Sequence, residues 1–141
     1  MDTSLLPVVA LTVVVPALAM SVPRAADSTT WPSGTQTGDG TFYGIGLGAC
    51  GIDNTNADYV VAVSALVFNA EPGYTGSDPN TNPLCNQQIT AYYQGNSVTV
   101  TIVDSCSGCG SWDLNFSPTA FEQLAPLSVG RIHGMTWVIL G

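Results

Sequence analysis

The sequence predicts a mainly β fold with one or two short helices, stabilised by disulfide bonds. Runs of β-branched and aromatic residues alternate with stretches rich in glycine, proline and asparagine, and helical periodicity occurs only in short segments. Four cysteines follow an apolar N-terminal stretch, which is typical of an exported protein with two disulfide bonds. The cysteine positions alone allow three pairings.

The N-terminus predicts a signal peptide over residues 1–19, with a membrane anchor as the alternative. The run from Leu5 to Ala19 is almost wholly apolar, is short for a membrane span, and ends in the small-x-small pattern of a cleavage site. Residues 20–37 are rich in serine, threonine and proline, which predicts a disordered leader in which Trp31 has no specific role. The folded domain is expected to cover residues 38–141.

Two β segments begin the domain. Residues 41–46 are short, β-rich and closed by glycines, and residues 59–64 form a β-branched run that is typical of a buried strand. Residues 65–70 are predicted to form a helical turn. Residues 71–84 are dense in proline, glycine, asparagine and aspartate, and we expect a long loop there.

A β-hairpin over residues 88–93 and 97–104 is the clearest element of the C-terminal half. Its strands alternate polar and apolar residues, and Gln94-Gly95-Asn96 supplies the turn. In the second strand Val98, Val100 and Ile102 point to one side. Continuing this alternation places Asp104 on the apolar side at the strand's end, where it is partly removed from water.

A short helix and a final strand close the chain. Ser117 is a suitable N-cap, and Pro118 suits the first helical position. The apolar face of this helix consists of Phe121, Leu124 and Ala125. Residues 131–140 are predicted to form a strand with Trp137 in the core.

The charge balance argues against two classes of partner. The chain has 10 acidic residues, 2 basic ones and a net charge of -8. Such a surface repels phosphate backbones and anionic lipids, so we expect neither nucleic acid nor a membrane as partner. Only 9% of the residues are charged. A surface of uncharged hydrogen-bonding groups suits neutral ligands such as sugars.

Six motifs occur in the same order as in a known family. They are Thr41-Phe42-Tyr43-Gly44, Gly48-Ala49-Cys50-Gly51, Asn82-Pro83-Leu84-Cys85, Val103-Asp104-Ser105-Cys106-Ser107-Gly108-Cys109, Ser117-Pro118-Thr119-Ala120-Phe121, and Gly130-Arg131-Ile132-His133-Gly134 with Trp137. Over residues 38–141 the chain resembles the rare-lipoprotein-A-like double-psi β-barrel family. The most similar branch is that of the expansin-like fungal proteins, including the loosenins and proteins labelled riboflavin-aldehyde-forming enzymes. The resemblance implies a six-stranded barrel whose shallow groove binds cell-wall polysaccharide.

The resemblance also implies groove residues. Tyr43 and Asp104 would line the groove, and Gly44 keeps the surroundings of Tyr43 open. Alternatively, Asp104 caps backbone N–H groups of the Cys106–Cys109 loop. The family's second essential aspartate falls on Asn115, which cannot donate a proton as a general acid does. This favours a non-catalytic protein. Asp113, two residues earlier, is either the acid that replaces the family's aspartate or a solvated carboxylate without a role in the site.

Other candidate residues have alternative roles. Trp112 is either an exposed platform for sugar stacking or a lid on the core. His133 stands alone and is interpreted as a structural histidine rather than a catalytic one. Cys106 and Cys109 form a C-x-x-C motif without a thioredoxin-like setting, so we expect them to form a structural disulfide, which leaves Cys50 to pair with Cys85.

We predict no metal and no cofactor. One histidine and one close cysteine pair do not make a zinc site, and the sequence contains no glycine-rich phosphate loop. The leading hypothesis is an extracellular, monomeric protein that binds and loosens wall glucan or chitin without efficient hydrolysis. One alternative is a glycoside hydrolase or lytic transglycosylase that uses Asp104 and Asp113. The other is a barwin-like or papain-inhibitor-like module that inserts the 71–84 loop into a secreted protease.

Overall fold

The computed structural model describes residues 31–141, and six strands in this region close a barrel. In chain order the strands are β1 (Gln36–Phe42), β2 (Val60–Ser64), β3 (Gln88–Tyr93), β4 (Asn96–Cys106), β5 (Leu114–Phe116) and β6 (Ile132–Ile139). Around the barrel they follow the order β1-β5-β2-β4-β3-β6. The predicted signal peptide and residues 20–30 of the predicted leader lie outside the described residues.

The strand pairs are of two kinds. The pairs β1 with β5 and β2 with β4 are parallel, whereas the other four pairs are antiparallel. This mixture, closed into six strands, confirms the predicted double-psi β-barrel class. A strand that runs parallel to its neighbour requires a crossover connection, so residues far apart in the chain meet on the barrel wall.

Two short helices each begin after a capping serine, of which the sequence predicts only Ser117. Helix α1 (Ala65–Asn69) begins after Ser64, whose hydroxyl accepts the Leu66 N–H at 3.1 Å. Helix α2 (Pro118–Glu122) begins after Ser117, whose hydroxyl accepts the Ala120 N–H at 3.3 Å. Single 3-10 turns occur at Pro79–Thr81 and Leu127–Val129.

The barrel interior is filled by one side of each strand. In β4 the inward residues are Val98, Val100 and Ile102, as the alternation predicts. Trp137 of β6 is 1% exposed, and Phe121 of α2 and Leu124 just after this helix are also buried, so these three core predictions agree with the structure. Burying such large side chains is the main stabilisation of a domain of this size.

A β-bulge changes the predicted direction of Asp104. The register between β2 and β4 runs from Val61 opposite Ile102 to Ala62 opposite Asp104, so Val103 is an extra residue. The alternation after Ile102 is therefore reversed, and Asp104 shares the outer side of the sheet with Ala62 rather than the apolar interior. The expectation that Asp104 lies on the apolar side is wrong for this reason, although its side chain is half-buried.

The segment before the predicted domain start is part of the fold. Strand β1 begins at Gln36, and Trp31 packs against the core cluster and donates its indole N–H to the Val67 carbonyl at 3.4 Å. An indole buries a large apolar area, which outweighs the cost of ordering the chain around it. Residues 31–37 thus differ from the predicted disordered leader.

The two disulfide bonds join Cys50 to Cys85 and Cys106 to Cys109. These are the pairs expected from the sequence, and the described residues contain no free cysteine. The first bond links the loop before β2 to the loop before β3, and the second closes a short loop at the end of β4.

No helix within residues 31–141 is both long and apolar enough to span a membrane.

Candidate functional site

A row of four residues crosses the outer face of the barrel, one on each of four neighbouring strands. The paired positions are Thr41 with Asn115, Asn115 with Ala62, and Ala62 with Asp104. Because neighbouring strands lie about 4.8 Å apart, the row is roughly 14 Å long. Its polar members are half-buried. Ala62, in the middle of the row, is only 1% exposed, so neighbouring residues cover it.

Tyr43 and Asp104 meet on this face. The Tyr43 hydroxyl donates to Oδ2 of Asp104 at 3.2 Å. Burial, followed by the negative charge of Asp104 and the hydrogen bond to it, raises the pKa of the Tyr43 phenol well above its usual range. The phenol therefore remains a protonated donor at physiological pH.

Asp104 also holds the backbone. Its Oδ1 accepts the N–H groups of Ala49 at 2.8 Å and of Ser105 at 2.9 Å. The capping role considered for this residue therefore exists, but it serves the loop before β2 and the residue after Asp104 rather than amides within the Cys106–Cys109 loop. One carboxylate joins Tyr43, the 44–53 loop and β4.

The loop after Tyr43 is glycine-rich for a steric reason. A side chain at Gly48 would overlap the Val103 carbonyl oxygen and come within 3.0 Å of the Asp104 side chain. The loop is further held by the hydrogen bond from the Cys50 N–H to the Val103 carbonyl at 3.1 Å. A Cβ added at Gly44 would have no other atom within 4 Å, so the surroundings of Tyr43 are open on that side.

Asn115 is held in position by a residue that the sequence did not indicate. Its Oδ1 accepts the Thr41 hydroxyl at 2.9 Å, and its Nδ2 faces the Cys106 sulfur at 4.0 Å. Thr41 belongs to β1 and lies two residues before Tyr43, which follows the strand, and this spacing was the available signal. The structure thus joins these residues in two pairs, Thr41 with Asn115 and Tyr43 with Asp104, with Ala62 of β2 between Asn115 and Asp104.

Asp113 has different partners. It precedes β5, and its two oxygens accept the Asp39 N–H at 2.9 Å and the Gly110 N–H at 3.0 Å. None of its hydrogen bonds involves Tyr43, Asp104 or Asn115. Asp113 ties β1 to the end of the Cys106–Cys109 loop.

Trp112 combines the two alternatives that the sequence left open. Its ring centroid lies 6.4 Å from that of the buried Trp137, and its carbonyl accepts the Trp137 indole N–H at 2.8 Å. Its side chain is nevertheless 36% exposed. A Cβ at Gly38 would overlap the Trp112 carbonyl, so Trp112 lies against the beginning of β1.

Asp39 carries an ion-pair cluster that sequence analysis missed. Arg131 contacts its Oδ2 at 2.9 Å and His133 contacts its Oδ1 at 3.0 Å. The side chains of both partners are exposed by more than half. These are the basic side chains of residues 31–141, and through the Asp39 N–H the cluster adjoins Asp113. His133 therefore serves as a surface partner of a carboxylate.

We expect acid to weaken the fold through Asp39. Burial raises the pKa of Asp39, but hydrogen bonds from His133 and Arg131 together outweigh it and lower the pKa below 3.8. A carboxyl whose pKa is lower in the folded state stabilises the fold above about pH 4, and this contribution disappears as pH falls through the folded pKa. Since the pair is exposed, Asp39→Asn should cost less than about 1 kcal/mol at neutral pH.

Urea unfolding of wild type and Asp39→Asn between about pH 2 and pH 7 measures this effect. The variant should lose less stability than wild type between neutral and acid pH, whereas Glu122→Gln, an exposed control at the end of α2, should follow wild type. Identical acid profiles for wild type and Asp39→Asn would contradict the assignment.

Within residues 31–141, no group of three histidine, cysteine or acidic side chains is placed to hold a metal ion.

The fold and this face define a class of protein: a disulfide-bonded double-psi β-barrel whose outer face carries a tyrosine hydrogen-bonded to an aspartate. No protein-family profile matches the chain. The papain inhibitor of Streptomyces mobaraensis is 35% identical over 105 residues, which cover 72% of this chain and 68% of that protein. The chain belongs to the family of this papain inhibitor. The solved Streptomyces papain inhibitor structure has a TM-score of 0.69 at 32% identity and matches 77% of this chain and 96% of its own.

Two further relatives are larger proteins. A homologue of the allergen Asp f 7 from Arthroderma benhamiae is 33% identical over 115 residues, and the match spans 72% of this chain but only 38% of that protein. A mutant expansin of Clavibacter michiganensis, solved in complex with cellohexaose, has a TM-score of 0.60 at 25% identity and covers 77% of this chain. The match covers 51% of the expansin chain. The barrel is thus similar to one part of an expansin.

Proposed function

We propose that this protein is an extracellular, expansin-like and loosenin-like protein that binds cell-wall glucan or chitin and loosens its chains without efficient hydrolysis. The observation that carries the proposal is the hydrogen bond between Tyr43 and Asp104 at one end of the row, beside the exposed Gly44. The cellohexaose bound to the related expansin supports a sugar ligand. Secretion rests on the predicted signal peptide, and the two disulfides are consistent with an oxidising compartment.

The chemistry of the face matches neutral sugars. The Asn115 amide and the Thr41 hydroxyl both donate and accept hydrogen bonds, and pyranose hydroxyls do the same. The Tyr43 ring offers a surface for the apolar C–H face of a sugar. Hydrogen bonds from the protein would replace those between neighbouring chains, so a chain is released without breaking a covalent bond.

The arrangement of the acids does not favour hydrolysis. A glycosidase needs a carboxyl group that carries a proton towards the glycosidic oxygen, with a second carboxylate across the bond. The oxygens of Asp104 accept from Ala49, Ser105 and Tyr43, and those of Asp113 accept from two other backbone N–H groups. Purified protein should therefore release no reducing or anhydro ends from polysaccharide, and release abolished by Asp104→Asn would favour the hydrolase alternative.

A pull-down on insoluble cellulose, β-glucan and chitin tests the proposal. Wild type should be retained on at least one of them, and Tyr43→Ala should bind that polymer about tenfold more weakly because an aromatic contact and an ordered donor are lost. Tyr59→Ala provides a matched control, since Tyr59 is an exposed tyrosine (45%) outside the row. No retention of wild type on any of the three polymers would end the proposal.

Protease binding is the second candidate, and the 35% identity to a papain inhibitor favours it. The 71–84 loop suits insertion into a cleft because residues 75–80 are exposed while its end is anchored. Buried Asn82 donates to the Phe68 carbonyl at 2.7 Å, and Cys85 is disulfide-bonded. This candidate predicts inhibition of papain by the purified protein without sugar retention.

A further inference from the structure

A second outer face uses the two strands that the candidate site leaves free, β3 and β6, together with β4. We call it the threonine face and define it by six outward residues: Thr90, Tyr92, Ser97, Thr99, Thr136 and Val138. Their inward neighbours on the same strands are buried, so these six side chains point away from the core. None of the six is charged.

The six residues form two parallel rows. One row pairs Thr136 with Tyr92 and Tyr92 with Ser97, and the other pairs Val138 with Thr90 and Thr90 with Thr99. The pairing of β3 with both neighbours contains no register shift, unlike β1 with β6 and β2 with β4. Neighbouring groups therefore repeat about every 4.8 Å across the strands and about every 6.8 Å along them.

Two hydroxyls of this face are ordered by a hydrogen bond, and its aromatic ring is exposed to solvent. The Thr90 and Thr99 hydroxyl oxygens lie 2.9 Å apart and hydrogen-bond to each other. Tyr92 is 47% exposed and stands between Thr136 and Ser97. Because the Thr90 and Thr99 side chains are already ordered by this hydrogen bond, they lose little side-chain entropy when they bind a partner.

The absence of charge indicates the chemistry of the partner. The chain has a net charge of -8, yet the flanking outward positions Thr37, Gln88 and Thr101 are uncharged as well. An ionic partner gains nothing from such a face, and hydroxyl groups are poor partners for an apolar surface. Periodic hydroxyls with one exposed aromatic ring are matched by the hydroxyl-covered surface of a neutral polysaccharide.

We propose that the threonine face rests on the surface of insoluble β-glucan while the face around Tyr43 and Asp104 holds a single chain. This inference rests on the proposed function and deepens it. The two faces share β4 but lie at opposite ends of it, with Ser97 and Thr99 on the threonine face and Asp104 at the candidate site. The other strands of the two faces differ, and β3 lies across the closed barrel from β5, so a chain bound at the first face is kept away from the surface bound at the second. The barrel thus acts as a spacer between a chain and the material it came from.

Binding of the purified protein to cellulose powder and to soluble cellohexaose separates the two faces. The double variant Tyr92→Ala/Thr99→Glu should bind cellulose about tenfold more weakly than wild type and bind cellohexaose equally well. Tyr43→Ala should lose cellohexaose binding. Thr75→Glu adds the same charge to an exposed loop and should behave like wild type on both ligands. Circular dichroism checks the fold, and Tyr92→Ala alone serves if the double variant is unstable.

Cellulose binding of the double variant equal to that of wild type would overturn the threonine face and leave the proposed function intact. A wild type that binds no polysaccharide would end the proposed function itself. Size-exclusion chromatography over a range of concentrations tests whether the threonine face instead binds a second copy of this chain. A dimer that the double variant abolishes would also overturn the proposal.

Discussion

Replacing Cys50 and Cys85 with alanine is expected to lower the free energy of unfolding by about 4 kcal/mol, against about 2 kcal/mol for the Cys106/Cys109 double variant. The reason is the length of chain that each bond encloses. The sequence separation is 35 for the first disulfide and 3 for the second. A longer closed loop removes more conformational freedom from the unfolded chain, and Cys50 is in addition part of the core cluster.

Urea unfolding of both double variants and of wild type, without reductant, gives the comparison. The Cys50/Cys85 variant should also show a larger dependence of the unfolding free energy on urea, because its unfolded state exposes more surface. The Cys106/Cys109 variant is the matched control, since it removes the same chemical bond. Equal losses in the two variants would show that enclosed chain length does not decide these stabilities here.

Gly48→Ala is expected to cost about 1 to 3 kcal/mol and to displace Asp104. The added methyl group would overlap the Val103 carbonyl and contact the Asp104 side chain, and a backbone carbonyl cannot rotate away. The loop must then move, which stretches the hydrogen bond from the Ala49 N–H to Asp104. The same shift would disturb the contact of Asp104 with Tyr43.

Gly46→Ala is the control within the same loop. No atom lies within 4 Å of a Cβ at Gly46, so its replacement should be neutral or slightly stabilising through the unfolded state. Thermal unfolding of both variants, with the amide chemical shift of Ala49 followed by NMR, measures the two effects. A Gly48→Ala protein as stable as Gly46→Ala, with an unchanged Ala49 amide, would contradict this account of the loop.

The elements that follow from the sequence are those with a strong local pattern. The β3–β4 hairpin alternates over enough residues to be recognised, and α2 has both its cap and its first proline. Strand β5 was missed because three residues, Leu114–Phe116, are too few for an alternation to appear. It exists because both β1 and β2 pair with it, and no local pattern records such distant partners.

The candidate site was predictable where it depends on the order of the motifs and not where it depends on distant contacts. Tyr43 and Asp104 were expected on one face, and the structure joins them by a hydrogen bond. The direction of Asp104 was misjudged because a bulge at Val103 has no clear signature in a run of β-branched residues. Arg131 and His133 reach Asp39 across more than ninety positions, which no spacing rule detects.

The scarcity of basic residues in residues 31–141 bears on resistance to proteolysis. Residues 31–141 contain no lysine and one arginine, so an enzyme that cuts after basic residues finds a single target bond there. That bond, between Arg131 and Ile132, leads directly into β6, where Ile132 is 1% exposed. Cleavage would require the barrel to open first, so digestion by trypsin-like enzymes depends on how often this part of the chain unfolds.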